Sequence, residues 1–120
     1  MNHVGIKMRT LIGDIILPPD IPNIKFADIL IEVRDISEAD APSLLIKEKK
    51  LHKVELKPNG QIQFKINVPQ VDANRALSIR VHISKDGNNG VNVGDLLTTS
   101  IIPIPSTGTL HEIKVPVIVI

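Results

Sequence analysis

Apolar residues fall on every second position over most of this chain. Ala27, Ile29, Ile31 and Val33 alternate with Asp28, Glu32 and Arg34, a period of two that sends one set to a core face and the other toward solvent. Ile62, Phe64, Ile66 and Val68 alternate in the same way with Gln63, Lys65 and Asn67, and Leu77, Ile79, Val81 and Ile83 with Ser78, Arg80, His82 and Ser84. Four further runs read as strands: Met8 to Leu17, Leu44 to Leu56, Val91 to Ile104 and Leu110 to Ile120. In the run from Leu44, the residues Leu44, Ile46, Val54 and Leu56 share a parity that Glu48, Lys50 and His52 interrupt. That interruption predicts a bulge or bend near Glu48–Lys50.

The breaks between the runs carry turn residues. Pro18-Pro19 and Pro22 end the first run, "KPNG" at Lys57–Gly60 is a strong turn signal, and "PQVDAN" crosses to the fifth run. "KDGNNG" reads as a hairpin-type loop because Gly and Asn accept positive φ at little cost, and "PSTG" closes the sixth run. No helix is predicted beyond a single turn at "SEAD". Seven short strands with Pro-, Gly- and Asn-rich turns predict an all-β fold, a single β-sandwich of about seven mostly antiparallel strands, immunoglobulin/transthyretin-like in kind. One domain is expected over residues 1–120, ordered from about residue 8 and frayed over 1–7.

Composition sharpens this picture. Apolar residues make up 42% of the 120, but aromatics only 2%, namely Phe26 and Phe64. The core is therefore aliphatic, dominated by Ile and Val, whose branched Cβ suits a pleated surface. There is no cysteine, hence no disulfide framework and no thiol chemistry. Fourteen basic and thirteen acidic residues leave a formal charge of +1, too little to steer the protein toward nucleic acid or anionic lipid. "TLIGDIIL" is too short for a signal-peptide core and is broken by Asp14, and no run approaches a transmembrane length. As written, the chain is expected to be soluble, cytoplasmic if this is the native start and in the cell envelope if a signal has been removed.

Several motifs follow one another in a familiar order: "LIGDIILP", "ADILIEVRDISEADAP", a turn into "IQFKINVP", then "VDANRALSIRVHIS", and finally "DG" ahead of "GDLLTTSIIPI". The order resembles the YbaY/YscW family of small bacterial lipoprotein domains, over about Thr10 to Ile104. Its most specific part is "EVRDISEADAP", a strand that ends in Val-x-Asp and meets a Ser-x-x-Asp-Ala-Pro corner. Some members of that family act as pilots or chaperones for the outer-membrane secretin of type III secretion systems. The resemblance implies a β-sandwich and a binding or chaperone role without enzymatic activity. Family members typically carry a signal peptide and a lipidated cysteine, and this sequence has neither.

Candidate chemistry is sparse. Asp35, Glu38 and Asp40, with Ser37, offer oxygen ligands for Ca²⁺, but their spacing fails the EF-hand pattern. The favoured reading is a strand corner in which Ser37 or Asp35 accepts backbone N–H bonds and Pro42 fixes entry into the next strand. His3, His52, His82 and His111 share no zinc-type spacing and read as solvated surface residues. No nucleophile motif or acid/base pair is present, so no catalytic residue is expected. Five lysines between Lys47 and Lys57 lack the stacking aromatics of a nucleic-acid site and read as edge protection for a sheet. No cofactor is expected.

The tail "KVPVIVI" is the exception. Ile113, Val115, Val117 and Val119 form a core face, yet Ile118 and Ile120 on the opposite face are also apolar. Ile101, Ile102 and Ile104 show the same doubling. Either a loop such as "LPPDIPNI" shields the tail, or the outer face meets a partner or a second copy. The candidate partner-binding residues are thus Ile118, Ile120, Ile101 and Ile102. The expected function is non-catalytic protein binding as a chaperone, pilot or accessory domain, through an apolar face or a strand edge. The alternatives are a small apolar-ligand carrier and a Ca²⁺-dependent adhesion-like module.

Overall fold

The aliphatic alternation resolves into two sheets in a computed structural model that describes residues 7–85, 90–105 and 110–120. The strands are β1 (Met8–Ile16), β2 (Ile24–Asp35), β3 (Leu44–Leu56), β4 (Gln61–Pro69), β5 (Leu77–Ser84), β6 (Leu96–Leu97), β7 (Ile102–Ile104), β8 (Leu110–Pro116) and β9 (Ile118–Val119). One sheet has the order β4-β1-β8, and the other β3-β2-β5-β6-β9 with β7 also on β5. All pairs are antiparallel except β1 with β8. This is an all-β sandwich, as the alternation predicts, with no helix among the described residues. Most of the expected KDGNNG loop and PSTG turn, with His3 and the side chain of His111, lie outside the described residues.

The inner faces meet in one aliphatic cluster. Leu11 and Ile15 of β1, Ile29, Ile31 and Val33 of β2, Val68 of β4, Val81 and Ile83 of β5 and Val115 of β8 are all essentially inaccessible. Burial of this kind stabilises by about 25 cal/mol for each Å² of apolar surface removed from water. Phe64 packs across Gly13, its register partner on β1. The KPNG turn forms as expected, with the Gly60 N–H donating to the Lys57 carbonyl and Asn59 at φ 59°, the positive φ that a type II turn demands at its third residue.

Three sequence expectations change. The bulge in β3 is not at Glu48–Lys50, which pair regularly with Glu32, Ile31 and Leu30; register shifts flank that stretch, one opposite Val33/Arg34 and one opposite Ala27/Ile29. Lys53, in the second irregularity, has φ 55°. Those shifts place Lys47 and Lys49 opposite the core positions Val33 and Ile31. The Lys49 ammonium reaches across to the Lys65 carbonyl of β4 at 2.6 Å. Charged lysines along an edge strand discourage strand addition, and β3 is the edge of its sheet.

The run from Val91 to Ile104 is not one strand. Only Leu96–Leu97 and Ile102–Ile104 pair, both along the same edge of β5; Thr98 still bonds the Val81 backbone, and residues 99–101 loop out between them. The tail also divides. β8 pairs with β1 as far as Pro116, whereas β9 pairs with β6 in the other sheet. The chain therefore crosses between sheets at Pro116–Val117, and full burial ends at Val117: Val119 keeps the expected side, opposite the buried Leu96, but at the sheet edge it is half-exposed.

Candidate partner-binding face

The corner "DISEADAP" is held by side chains already committed to one another. Asp35 Oδ1 accepts from the Ser37 backbone N–H at 2.9 Å and from the Ser37 hydroxyl at 2.5 Å. Its Oδ2 accepts from Arg75 Nε at 2.8 Å, and Arg75 also reaches Glu38 at 3.3 Å. Ser37 Oγ in turn accepts from the Ala76 N–H at 2.8 Å, and Ala76 returns its carbonyl to the Ile36 N–H. Two loops distant in sequence are thereby stitched together. Asp40 is exposed and takes no part in these bonds. No group of three or more His, Asp or Glu suited to a metal ion occurs among the described residues.

The Ser37 hydroxyl, Arg75 and the Ser37 N–H hold the Asp35 carboxyl down to a pKa of about 2. A carboxylate lowered on folding stabilises the native state above its unfolded pKa, near 4, and loses that contribution as pH falls through the folded value. Asp35→Asn is therefore expected to lower the melting temperature by several degrees at neutral pH. The gap from wild type should close between about pH 4 and about pH 2. A gap independent of pH would show that the carboxylate charge is not what holds the corner.

The tail remains uncovered. Ile118 is 48% exposed, Val119 38% and Ile120 36%. Leu17 and Ile21 of the "LPPDIPNI" segment turn into the core instead of shielding it. The tail is nevertheless well fixed, because Gly94 N–H donates to the Ile120 carbonyl at 2.6 Å and Ile120 N–H to the Asp95 carbonyl at 2.9 Å. These bonds bring the preceding loop beside the tail, and with it Val93, which is 90% exposed. Val93 was invisible to strand parity because it belongs to a loop. Of the other two candidates, Ile101 is 71% exposed in the loop between β6 and β7, apart from the tail. Ile102 is a correction: it pairs with Ile79 and points into the core, so it presents no surface.

Register fixes the outer face of the larger sheet. Leu30, His82, Leu97 and Ile118 lie in one row across β2, β5, β6 and β9. Two residues along, Glu32 of β2 faces Arg80 of β5; two further, Arg34 faces Ser78. Glu32 is buried and bonds both arginines, Arg34 at 3.0 Å and Arg80 at 3.1 Å. Arg34 also donates to the Ser43 carbonyl and hydroxyl. Beside this triad lies a groove of about 250 Å³ whose lining includes Arg34, Arg80, Ser43, Thr99, Ser100 and Ile101.

His82 departs from the expected solvated surface. It is buried, and its Nε2 lies 2.9 Å from Oδ2 of the fully buried Asp95. Burial alone raises the Asp95 pKa, but the Asn92 backbone N–H and the His82 ring outweigh it and hold the carboxyl below its ordinary value. His52 does lie at the surface, 3.3 Å from Asp28.

The fold and this face define a β-sandwich with a polar groove and an aliphatic edge on one sheet. A solved structure described as an alternative pilotin from the type II secretion system of Vibrio cholerae is similar to this chain in fold. The two agree with a TM-score of 0.64 at 18% sequence identity, over 93% of this chain and 98% of that one. The likeness is one of fold. No family model and no curated protein matches the chain.

Proposed function

We propose that this protein is a non-catalytic, pilotin-like accessory protein of the YbaY/YscW kind, which holds a segment of a partner protein against its aliphatic tail edge. The observation that carries the reading is the exposed aliphatic edge at the C-terminus, Ile118 and Ile120 on one face and Val119 on the other, on backbone held firmly to Gly94 and Asp95. Aliphatic side chains fixed in this way lose little entropy when a partner covers them. Fold likeness to a secretion pilotin supports the same reading. Aliphatic rather than aromatic anchors suit a modest, reversible interface.

Light scattering on wild type and on Ile118→Glu/Ile120→Glu tests it. Both are expected to be folded monomers, since exposed substitutions change stability by roughly 0.5 kcal/mol or less. A photo-crosslinker at Val119 should then capture a discrete partner from the source cell, and the double substitution should reduce capture at least tenfold. A wild-type dimer that the double substitution splits into folded monomers would make the tail a self-association surface and overturn the proposal.

A further inference from the structure

The tail edge accounts for apolar contact alone, and the groove two strands away offers a different chemistry on the same face. The only charged side chains lining it among the described residues are Arg34 and Arg80. Their shared carboxylate, Glu32, is buried behind them and satisfies one positive charge, leaving the other uncompensated. Arg34 is spent on Glu32 and Ser43. Arg80 gives only one of its terminal nitrogens to Glu32, and its Nε and second terminal nitrogen have no partner among the described residues. That side chain is 41% exposed, so its free donor edge is reachable from solvent. Glu48, the nearest other carboxylate by register, flanks Glu32 on β3, on the side away from β5. The rest of the lining is uncharged and includes hydroxyls of Ser43, Ser78, Thr99 and Ser100 and the side chain of Ile101.

We infer that this groove takes a carboxylate of the partner segment proposed above, so that the segment pairs an aliphatic anchor on Ile118 with an acidic group on Arg80. The inference rests on that proposed function and specifies its partner. A planar guanidinium with a free edge matches a carboxylate through paired N–H donors, while Ile101 packs against the adjoining aliphatic carbons. Spacing is set by the sheet. Ile118 lies two strands from Arg80 across the sheet and two residues along it. With strands about 4.8 Å apart and a rise of about 3.3 Å per residue, the two points are about 12 Å apart. An extended segment spans that with about four residues, so the acid stands about four positions from the anchor.

The test uses amide NMR titrations of the whole chain with hexanoate, hexanol, dodecanoate and two blocked peptides. Each peptide carries an isoleucine pair four residues from a single glutamate or, in the control, a glutamine. Hexanoate should shift the amides of Ser78, Arg80 and Thr99–Ile101 saturably, and hexanol should not. The glutamate peptide should bind about fivefold tighter than its control, the scale of a part-exposed ion pair. Arg80→Gln should abolish both preferences. Ser100→Asp, an exposed substitution that puts a carboxylate into the groove while leaving the Glu32 triad intact, should do the same if Arg80→Gln disturbs folding.

Equal binding of the two peptides, with no hexanoate response, would overturn this inference while leaving the tail reading untouched. Dodecanoate binding far tighter than either peptide would identify a lipid-acid site and overturn it as well. The Ile118→Glu/Ile120→Glu chain separates the two ideas, because it should lose partner capture while keeping the hexanoate response.

Discussion

Gly13→Ala is expected to destabilise the protein by about 2–3 kcal/mol, the cost of forcing an extra carbon into a packed core. For a domain of this size that is a fall in melting temperature of roughly 10 °C. Two effects compete at this position. Replacing glycine inside a strand removes an entropic disadvantage of about 0.5–1 kcal/mol, which argues for a gain. But the ring of the buried Phe64 lies directly over the Gly13 Cα, and a Cβ there would fall inside its van der Waals radius. The register locks the two residues face to face on β1 and β4, so the ring must leave its rotamer. Phe64→Leu should relieve the clash. The double variant should be more stable than the sum of the single losses requires, with a coupling above about 1 kcal/mol. Additive losses by thermal or chemical denaturation would show that the ring is not the obstacle.

Asp95→Ala should cost about 3 kcal/mol or more, the range for breaking a buried, hydrogen-bonded pair by deleting one partner. Deletion strands the buried His82 ring and the Asn92 N–H, both of which rely on Asp95 Oδ2. The effect should travel. Asp95 sits where the loop before β6 meets the C-terminal residue, so hydrogen exchange at Ile120 and at Leu96–Leu97 should speed up at least tenfold in a variant that remains folded. Asp95→Asn, which keeps an acceptor, should cost less. Because the carboxyl is held below its ordinary value, that smaller deficit should narrow as pH falls below about 4. Unchanged exchange at Ile120 would mean that the tail is held independently of the His82–Asp95 pair.

Both predictions concern residues whose partners are distant in sequence, and that is where sequence reasoning thinned out. The inner faces of β2, β4 and β5 read correctly from alternation alone, because each Ile, Val or Leu there answers to a local period of two. The outer face of β5 did not. Ser78, His82 and Ser84 are buried although they look like solvent-facing polar residues, because β5 is central and is flanked by β2 on one side and by β6 and β7 on the other. The Asp95 carboxylate that accompanies His82 arrives from a loop 13 residues away, and no spacing rule connects them. The Asp35 corner was legible as a corner, since Ser and Asp bond nearby backbone in any fold. Its partner Arg75 was not. The groove needed Arg34, Arg80 and Ser100 from three separate segments, each unremarkable alone.

The tail divides along the same line. Its amino acids dictated that an apolar surface must exist somewhere near the C-terminus, because the six residues Val115 to Ile120, apolar on both parities, cannot all face one core. Which of them stay in water was settled by the crossing at Pro116–Val117, where the strand leaves β1 for β6 and its second half gains a partner on one side only. Class of fold, aliphatic core and turn positions depend on backbone preferences and hydrophobicity, which act over a few residues and are written in local order. The buried His82–Asp95 pair, the loss of Ile102 to the core, and the placing of Arg80 within reach of Ile118 depend on which strands become neighbours. That choice is made by the summed packing of both sheets.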